Sequence, residues 1–172
     1  QTIKQLHREV RSEVTYFVPV DDSLEIWLVK VKNESLEPKR MGVFSYVELC
    51  LGHALVDLIN QPNDQHFNIV KFNREDNAIY ATKNYWVTHK GVSVEQPNQA
   101  WDRYVFFTSD LPVESWDSSK DAFIGPWRSE QNPIGLENGL LSNTDITAGD
   151  ACAAIQSEIL LEPGHEIEFV VL

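Results

Sequence analysis

The histidines, cysteines and carboxylates of this chain are the groups that could do chemistry, but their spacing predicts no familiar catalytic or metal site. No HExxH pair occurs and neither cysteine belongs to a CxxC pair, the spacings typical of zinc sites. GxSxG, P-loop and GxGxxG motifs are also missing, so neither a nucleophile elbow nor a phosphate-cradling loop is indicated. The 26 acidic residues make chance pairs inevitable, and a general acid–base pair also needs a raised pKa in a cleft. The residues alone therefore indicate neither a metal nor a cofactor.

The aromatic residues are more informative than the titratable ones. Five Trp, five Tyr and eight Phe are present, and Trp86, Trp101, Trp116 and Trp127 fall in predicted loops rich in Asn, Gln, Asp and Arg. Aromatic faces beside amides and carboxylates can hold sugars, because the rings stack on pyranose C–H faces while the polar groups bind hydroxyls. The alternative, which the chemistry alone favours, is that these rings cap the ends of a packed core.

Composition limits the class of protein. A length of 172 residues suits one well-buried domain. The net charge of −12 argues against binding to nucleic acid or to an anionic membrane, since both need clustered Lys and Arg. No apolar run approaches the length that spans a bilayer, and no signal peptide is indicated. Because the sequence opens without Met and stops within the apolar run "EFVVL", we expect a piece of a longer polypeptide.

The two cysteines lie far apart in apolar surroundings. Cys50 and Cys152 are expected to be small buried hydrophobic residues, with a single disulfide as the alternative. A reducing, cytoplasmic location is the corresponding expectation.

Alternation of apolar and polar residues with a period of two dominates the chain and predicts β-strands. These strands would position the aromatic and polar residues described above. In "SLEIWLVKVKN", for example, Trp27, Val29 and Val31 share one face. Turn signals separate seven to nine such segments, so an all-β, antiparallel two-sheet sandwich is predicted over residues 1–172. Pro163 and Gly164 suit a type II turn, which we expect to join two strands as a hairpin. Only the segment near 51–60 suits a short helix.

Four segments in a fixed order resemble one enzyme family. They are "VTYFVPVDDSLEIWLVKVKN", "FSYVELCLGHALVDLIN", "DAFIGPWRSEQNP" and "GDACAAIQSEILLEPGHEIEFVVL". Together they are similar to the N-terminal β-sandwich of the inverting disaccharide phosphorylases, the cellobiose and chitobiose phosphorylase family now called glycoside hydrolase family ninety-four. The resemblance spans most of residues 10–172.

The resemblance implies a galactose-mutarotase-like supersandwich that accompanies a catalytic (α/α)6 barrel in the same chain. In that family the barrel supplies the general-acid Asp, and inorganic phosphate attacks the anomeric carbon as co-substrate. This segment would then hold no catalytic residue and need no cofactor. Its implied roles are to complete the active site, to contact a disaccharide or oligosaccharide and to help form a homodimer. A cyclic glucan synthase parent carries a similar unit and stays open, and the sugar is not indicated.

One loop carries the candidate sugar contacts. Relatives resembling cellobiose phosphorylase have a "TNFQRN"-like segment whose Gln and Arg reach the acceptor sugar, and the matching stretch here is "LINQPNDQHFN". The Phe-Gln-Arg triplet is replaced by Gln-Pro-Asn, so the contact does not carry over directly. Amides and imidazole suit hydroxyl recognition, and the substrate-binding candidates are Asn60, Gln61, Asn63, Gln65 and His66.

The second candidate segment, "DAFIGPWRSEQNP", is implied to be a structural or interface loop that packs over the sandwich. Phe123 and Trp127 are expected to anchor it by burial. Arg128 and Glu130 are expected to form a structural or interface ion pair.

Two alternatives from other classes remain open. One is a free-standing carbohydrate-binding module with a surface aromatic platform, and the other is a purely structural or dimerisation domain.

Overall fold

The computed structural model describes residues 1–52, 54–55, 58–59, 65–84 and 103–172. Ten strands and two short α-helices account for most of this part of the chain. The strands are β1 (Thr2–His7), β2 (Val10–Phe17), β3 (Ile26–Asn33), β4 (Lys39–Glu48), β5 (Asn68–Asn73), β6 (Ala78–Lys83), β7 (Val105–Thr108), β8 (Ser115–Ser119), β9 (Ala151–Leu161) and β10 (Glu166–Val171). The helices are α1 (Lys120–Ile124) and α2 (Ile134–Asn138), and a 3-10 turn covers Gln65–Phe67.

The all-β antiparallel prediction is confirmed, although the strands form three hydrogen-bonded sheets where two were expected. The sheet orders are β1-β2-β3-β10, β4-β9-β8 and β5-β6-β7. A single bridge between Ser109, just after β7, and Val171 of β10 joins two of the sheets, and another joins Val70 of β5 to Ile146 in the loop before β9. Residues 54–55 and 58–59 are helical, in agreement with the short helix expected near 51–60. Within the described residues, no helix is both long and apolar enough to cross a bilayer.

Burial follows the predicted alternation in β3 and departs from it in β9. Val29 and Val31 of β3 are buried on the expected face. The first seven residues of β9 are instead all buried, because β9 lies between β4 and β8 and is covered on both faces. One face, which includes Ala153 and Ile155, joins the main core. On the other face, Cys152 and Ala154 are small residues that leave room for Phe123 of α1.

The turn at Pro163–Gly164 forms, but the predicted hairpin is wrong. His165 N donates to Glu162 O at 3.0 Å and Gly164 has φ +75°, as a type II turn requires. The flanking strands nevertheless belong to different sheets, since β9 pairs with β4 and β8 whereas β10 pairs with β3. The turn therefore carries the chain from one layer to the next.

The two cysteines differ in their surroundings. No disulfide joins them, and Cys152 is buried as expected. Cys50 is exposed, contrary to its predicted burial, because it follows the end of β4 at the rim of the sheet.

Candidate functional site

Strand register brings four segment ends together at one rim of the β4-β9-β8 sheet. Glu48, the last residue of β4, lies opposite Cys152, and Ser119, the last residue of β8, lies opposite Ala151. Helix α1 starts immediately after Ser119, whose Oγ accepts a hydrogen bond from Ala122 N at 3.4 Å. The side chains at this rim that concern us are Tyr46, Glu48, Lys120, Arg128 and Glu130, and we call them the polar corner.

Phe123 anchors α1 to the sheet, as predicted. Its side chain is buried, and its ring stacks on Tyr46 with centroids 4.5 Å apart and an interplanar angle of 18°. Gly135 of α2 packs directly against the same ring, because a Cβ added there would lie 2.9 Å from Phe123 Cδ2. The two helices are thus fixed to the sheet through one aromatic ring.

Trp127 does not anchor the loop, and its predicted burial is wrong. Its side chain is fully exposed, with a relative accessibility of 103%. Gly125 ends α1 at φ +87° and Trp127 itself adopts the left-handed conformation at φ +64°. This reversal turns the indole away from the sheet and towards solvent.

Arg128 holds the loop instead, through a partner other than the predicted Glu130. Its Nη1 donates to Glu137 of α2, and also to the carbonyl of Asn132 at 3.3 Å. The Ser129–Asn132 turn, closed by Asn132 N donating to Ser129 O at 3.0 Å, separates Glu130 from the guanidinium. Each partner shifts the other, since Glu137 raises the pKa of Arg128 while Arg128 lowers the pKa of Glu137. The pair is a structural clamp across the loop.

Glu48 is the centre of the polar corner. Lys120 Nζ lies 2.6 Å from Glu48 Oε1, and Tyr46 Oη donates to the same carboxylate at 3.1 Å. Lys120 is the main cause that lowers the pKa of Glu48, and the hydrogen bond from Tyr46 adds to it, while burial opposes both. Burial, followed by the charge of Glu48, raises the pKa of Tyr46. The corner therefore combines the ammonium group of Lys120, the carboxylate of Glu48 and the phenol of Tyr46.

A pocket of about 460 Å³ opens beside these groups. Its lining residues are Lys120, Ile124, Arg128, Ser129, Glu130 and Gln131. Donors and acceptors at this density over an exposed rim suit a ligand that carries several hydroxyl groups. A cluster of three or more potential metal ligands is not found in the part of the chain that the structure describes.

The last two residues of the predicted sugar-binding set, Gln65 and His66, are the ones that the structure describes, and they lie near this corner. Gln65 lies in the 3-10 turn, where its carbonyl accepts a hydrogen bond from Gly149 N at 2.8 Å, and His66 is exposed. Asp150, which follows Gly149, accepts a hydrogen bond through its carbonyl from Lys120 N at 3.0 Å. Asn60, Gln61 and Asn63 lie outside the described residues. The roles of all five in sugar binding stay predictions.

Sequence reasoning missed Tyr46, Glu48 and Lys120 as members of the site. No spacing rule connects Glu48 with Lys120, because they meet only through the register of β4, β9 and β8. The segment "FSYVELCL" belongs to the family resemblance, and that resemblance is the one sequence feature that indicates a role for this part of β4.

Trp116 has a packing role and lies in a strand rather than in the predicted loop. In β8 its ring stacks on Phe72 at 4.4 Å, and its Nε1 donates to Asp145 at 3.0 Å. Arg74 lies 5.4 Å over the Trp116 ring. This arrangement matches the core-capping alternative for the aromatic residues. Trp86 and Trp101 lie outside the described residues.

The sequence of the whole chain, residues 1–172, matches the family model described as "Glycosyl hydrolase 94, supersandwich domain". Over 158 residues the chain is 28% identical to an N,N'-diacetylchitobiose phosphorylase of Vibrio furnissii, which covers 92% of this chain and 18% of that protein. Over 161 residues it is 28% identical to a cellobionic acid phosphorylase of Neurospora crassa, with 93% and 18% covered. A cyclic beta-(1,2)-glucan synthase of Rhizobium meliloti is 26% identical over 138 residues, with 79% and 4% covered. The chain therefore spans less than a fifth of the length of these relatives.

Proposed function

Since the chain belongs to the glycosyl hydrolase 94 supersandwich domain family, we propose that it is the accessory domain of an inverting disaccharide phosphorylase. In this proposal, bond cleavage belongs to a catalytic barrel elsewhere in the same polypeptide, with inorganic phosphate as co-substrate and no other cofactor. The domain contributes the loop that ends at Gln65 and His66 and helps to close the active site over a β-linked sugar. A cytoplasmic location is part of the proposal, and it is supported by Cys50 and Cys152 not forming a disulfide.

The observation that carries the proposal is that Gln65 and helix α1 are linked at the polar corner by consecutive residues. The carbonyl of Gln65 binds Gly149 N, and the neighbouring Asp150 binds the first residue of α1. Gln65, at the end of the candidate sugar loop, and helix α1 at the start of the segment of residues 121–133 are therefore linked at the same rim. Lys120, Glu130 and Gln131 offer donors and acceptors there that are accessible to hydroxyl groups.

The first test concerns where catalysis lies. The 172-residue chain, supplied with inorganic phosphate and cellobiose or N,N'-diacetylchitobiose, should release no sugar phosphate. Turnover by this chain alone would overturn the assignment of an accessory role.

The second test concerns sugar contact at the pocket. In a phosphorylase that carries this domain, Gln131→Ala and Glu130→Gln should raise KM for the disaccharide more than they lower kcat. The matched control is Glu162→Gln, an exposed carboxylate in the turn between β9 and β10. Unchanged kinetics in the two pocket variants would contradict a sugar contact at this corner.

A purely structural or dimerisation domain is the second candidate, and one observation favours it. Trp127 in the loop before α2 is fully exposed, and Leu136 of α2 and Leu140 just after it are 50% and 57% exposed. Large apolar side chains on a rigid loop are typical of protein interfaces. If Trp127→Ala weakens dimerisation while the pocket variants keep normal kinetics, the structural role is the better description.

A further inference from the structure

A pocket of about 660 Å³, which we call the basic pocket, lies between the β1-β2 hairpin and the start of β4. Its lining residues are Gln5, His7, Arg8, Val10, Ser12, Pro38, Lys39, Arg40 and Met41. None of these described lining residues is acidic, although the chain contains 26 acidic residues and only 14 Lys and Arg. Lys39 is the first residue of β4 and Glu48 is the last, so the basic pocket lies about 30 Å along the strand from the polar corner.

Two cations of the basic pocket have no carboxylate partner among the residues that the structure describes. Arg8 forms no ion pair there, and Lys39 Nζ donates to the carbonyl of Arg8 at 2.5 Å. One carbonyl engages one of the three ammonium protons, so Lys39 keeps donors for a ligand. Arg40 differs, because its Nε and Nη2 bind both carboxylate oxygens of Glu158. Arg8 and Lys39 therefore place two unbalanced positive charges at one turn.

The turn that carries Arg8 is fixed in place. Strands β1 and β2 pair up to the residues on either side of it, so Arg8 and Glu9 form the entire loop of the hairpin. Both residues have positive φ, +47° and +61°, as a type I′ turn requires, although Asn and Gly adopt this conformation at lower cost. Glu34 N donates to Glu9 O at 2.8 Å, and Lys39 binds the carbonyl of Arg8. The Arg8 side chain is thus presented by a backbone that two hydrogen bonds hold.

We propose that the basic pocket binds a small sugar phosphate through its phosphate group. Arg8 and Lys39 bind the phosphate oxygens, since guanidinium and ammonium groups are the usual phosphate ligands of proteins. Gln5 and Ser12 are directly opposite each other in the β1-β2 register, so they share the face that lines the pocket. Their amide and hydroxyl groups can donate to and accept from sugar hydroxyls. This site is independent of any sugar contact at the polar corner.

A phosphate ester suits the basic pocket better than other anions do. It carries about −1.5 to −2 charges at neutral pH, which matches two unbalanced cations, whereas a carboxylate carries one charge. The volume of about 660 Å³ is far larger than a free phosphate ion fills, since a water molecule occupies about 30 Å³. A long polyanion such as nucleic acid is a poorer ligand, because the chain as a whole carries a net charge of −12.

The test titrates the isotope-labelled 172-residue chain with glucose 6-phosphate and follows the backbone amide shifts by NMR. The shifts should saturate and should be largest in the hairpin turn and at the start of β4. Arg8→Asn removes the charge and keeps a residue that tolerates positive φ, so the turn should form while Kd rises about tenfold. Lys39→Gln should raise Kd by a similar factor. The matched control is Lys4→Gln, which removes a β1 cation paired with Glu13 outside the pocket and should change Kd by less than about twofold.

Three other ligands identify the group that is bound. Gluconate, which carries hydroxyl groups and a carboxylate, and inorganic phosphate should both bind more weakly than glucose 6-phosphate, and glucose should give no saturable shift. Equal binding of gluconate would overturn the assignment to phosphate, and equal binding of inorganic phosphate would overturn the assignment to a sugar phosphate. No saturable binding of glucose 6-phosphate, or the same loss of affinity in Arg8→Asn and Lys4→Gln, would overturn the proposal as a whole.

Discussion

Phe123 and Trp127 lie four residues apart, and the structure predicts that removing the first ring lowers the stability of the fold strongly while removing the second barely changes it. Phe123 is buried at 3% exposure and stacks on Tyr46, whereas Trp127 is fully exposed. Truncating a buried Phe to Ala costs about 3–5 kcal/mol, because transfer free energy is lost and a cavity remains. We therefore expect Phe123→Ala to lower the free energy of unfolding by about that amount. Trp127→Ala should change it by less than about 0.5 kcal/mol, as is usual for a surface site.

The measurement is urea unfolding followed by far-ultraviolet circular dichroism, with the slope m compared between variants. An unchanged m would confirm that the midpoint shift reports stability. Phe123→Leu is the matched control, since it keeps an apolar side chain and should lose less than the Ala variant. Equal losses at positions 123 and 127, or a larger loss at Trp127, would refute the conclusion that one ring anchors the loop and the other does not.

Three other predictions follow from the same geometry. Gly135→Ala should lower the free energy of unfolding by about 1–3 kcal/mol in the same assay, because the added Cβ would lie 2.7 Å from Leu141 Cδ2; wild-type stability in this variant would contradict the tight packing. Burial raises the pKa of Asp117, so the stabilising effect of its protonated form is complete below the unfolded pKa and is lost as pH rises through the folded pKa. The stability difference, wild type minus Asp117→Asn, should therefore fall as pH rises from acid towards neutral, and a rise in that difference would refute this. Lys120→Met should cost no more than about 1 kcal/mol, because the Glu48 side chain is 47% exposed, but it should raise the pKa of Glu48 measured by carboxyl NMR; an unshifted pKa would show that the ion pair is not formed in solution.

Local patterns in the sequence predicted local structure well. The alternation in "SLEIWLVKVKN" predicted β3 and the buried face of Val29 and Val31. Pro163 and Gly164 predicted the type II turn, since Gly164 is free to adopt a positive φ. These features depend on side-chain period and backbone preference within a few residues, and for that reason they are readable without a structure.

The candidate site was only partly predictable. The structure links Gln65, at the end of the candidate sugar loop, to α1 through Gly149 and Asp150, a proximity that the sequence did not predict. The ion-pair partners within that region were not predicted either, because Arg128 pairs with Glu137 and Glu48 pairs with Lys120. Charged side chains in an acidic chain have many candidate partners, and their choice follows from which elements pack together.

The sequence by itself determined that the chain forms an antiparallel β structure of the phosphorylase supersandwich type. Only the tertiary structure decided that β9 and β10 belong to different sheets, that Phe123 is buried while Trp127 is exposed, and that Glu48 meets Lys120. The physical reason is the range of the interactions. Alternation and turn preference act between near neighbours along the chain, whereas burial and ion pairing depend on segments that are distant in sequence and meet only when the sheets assemble.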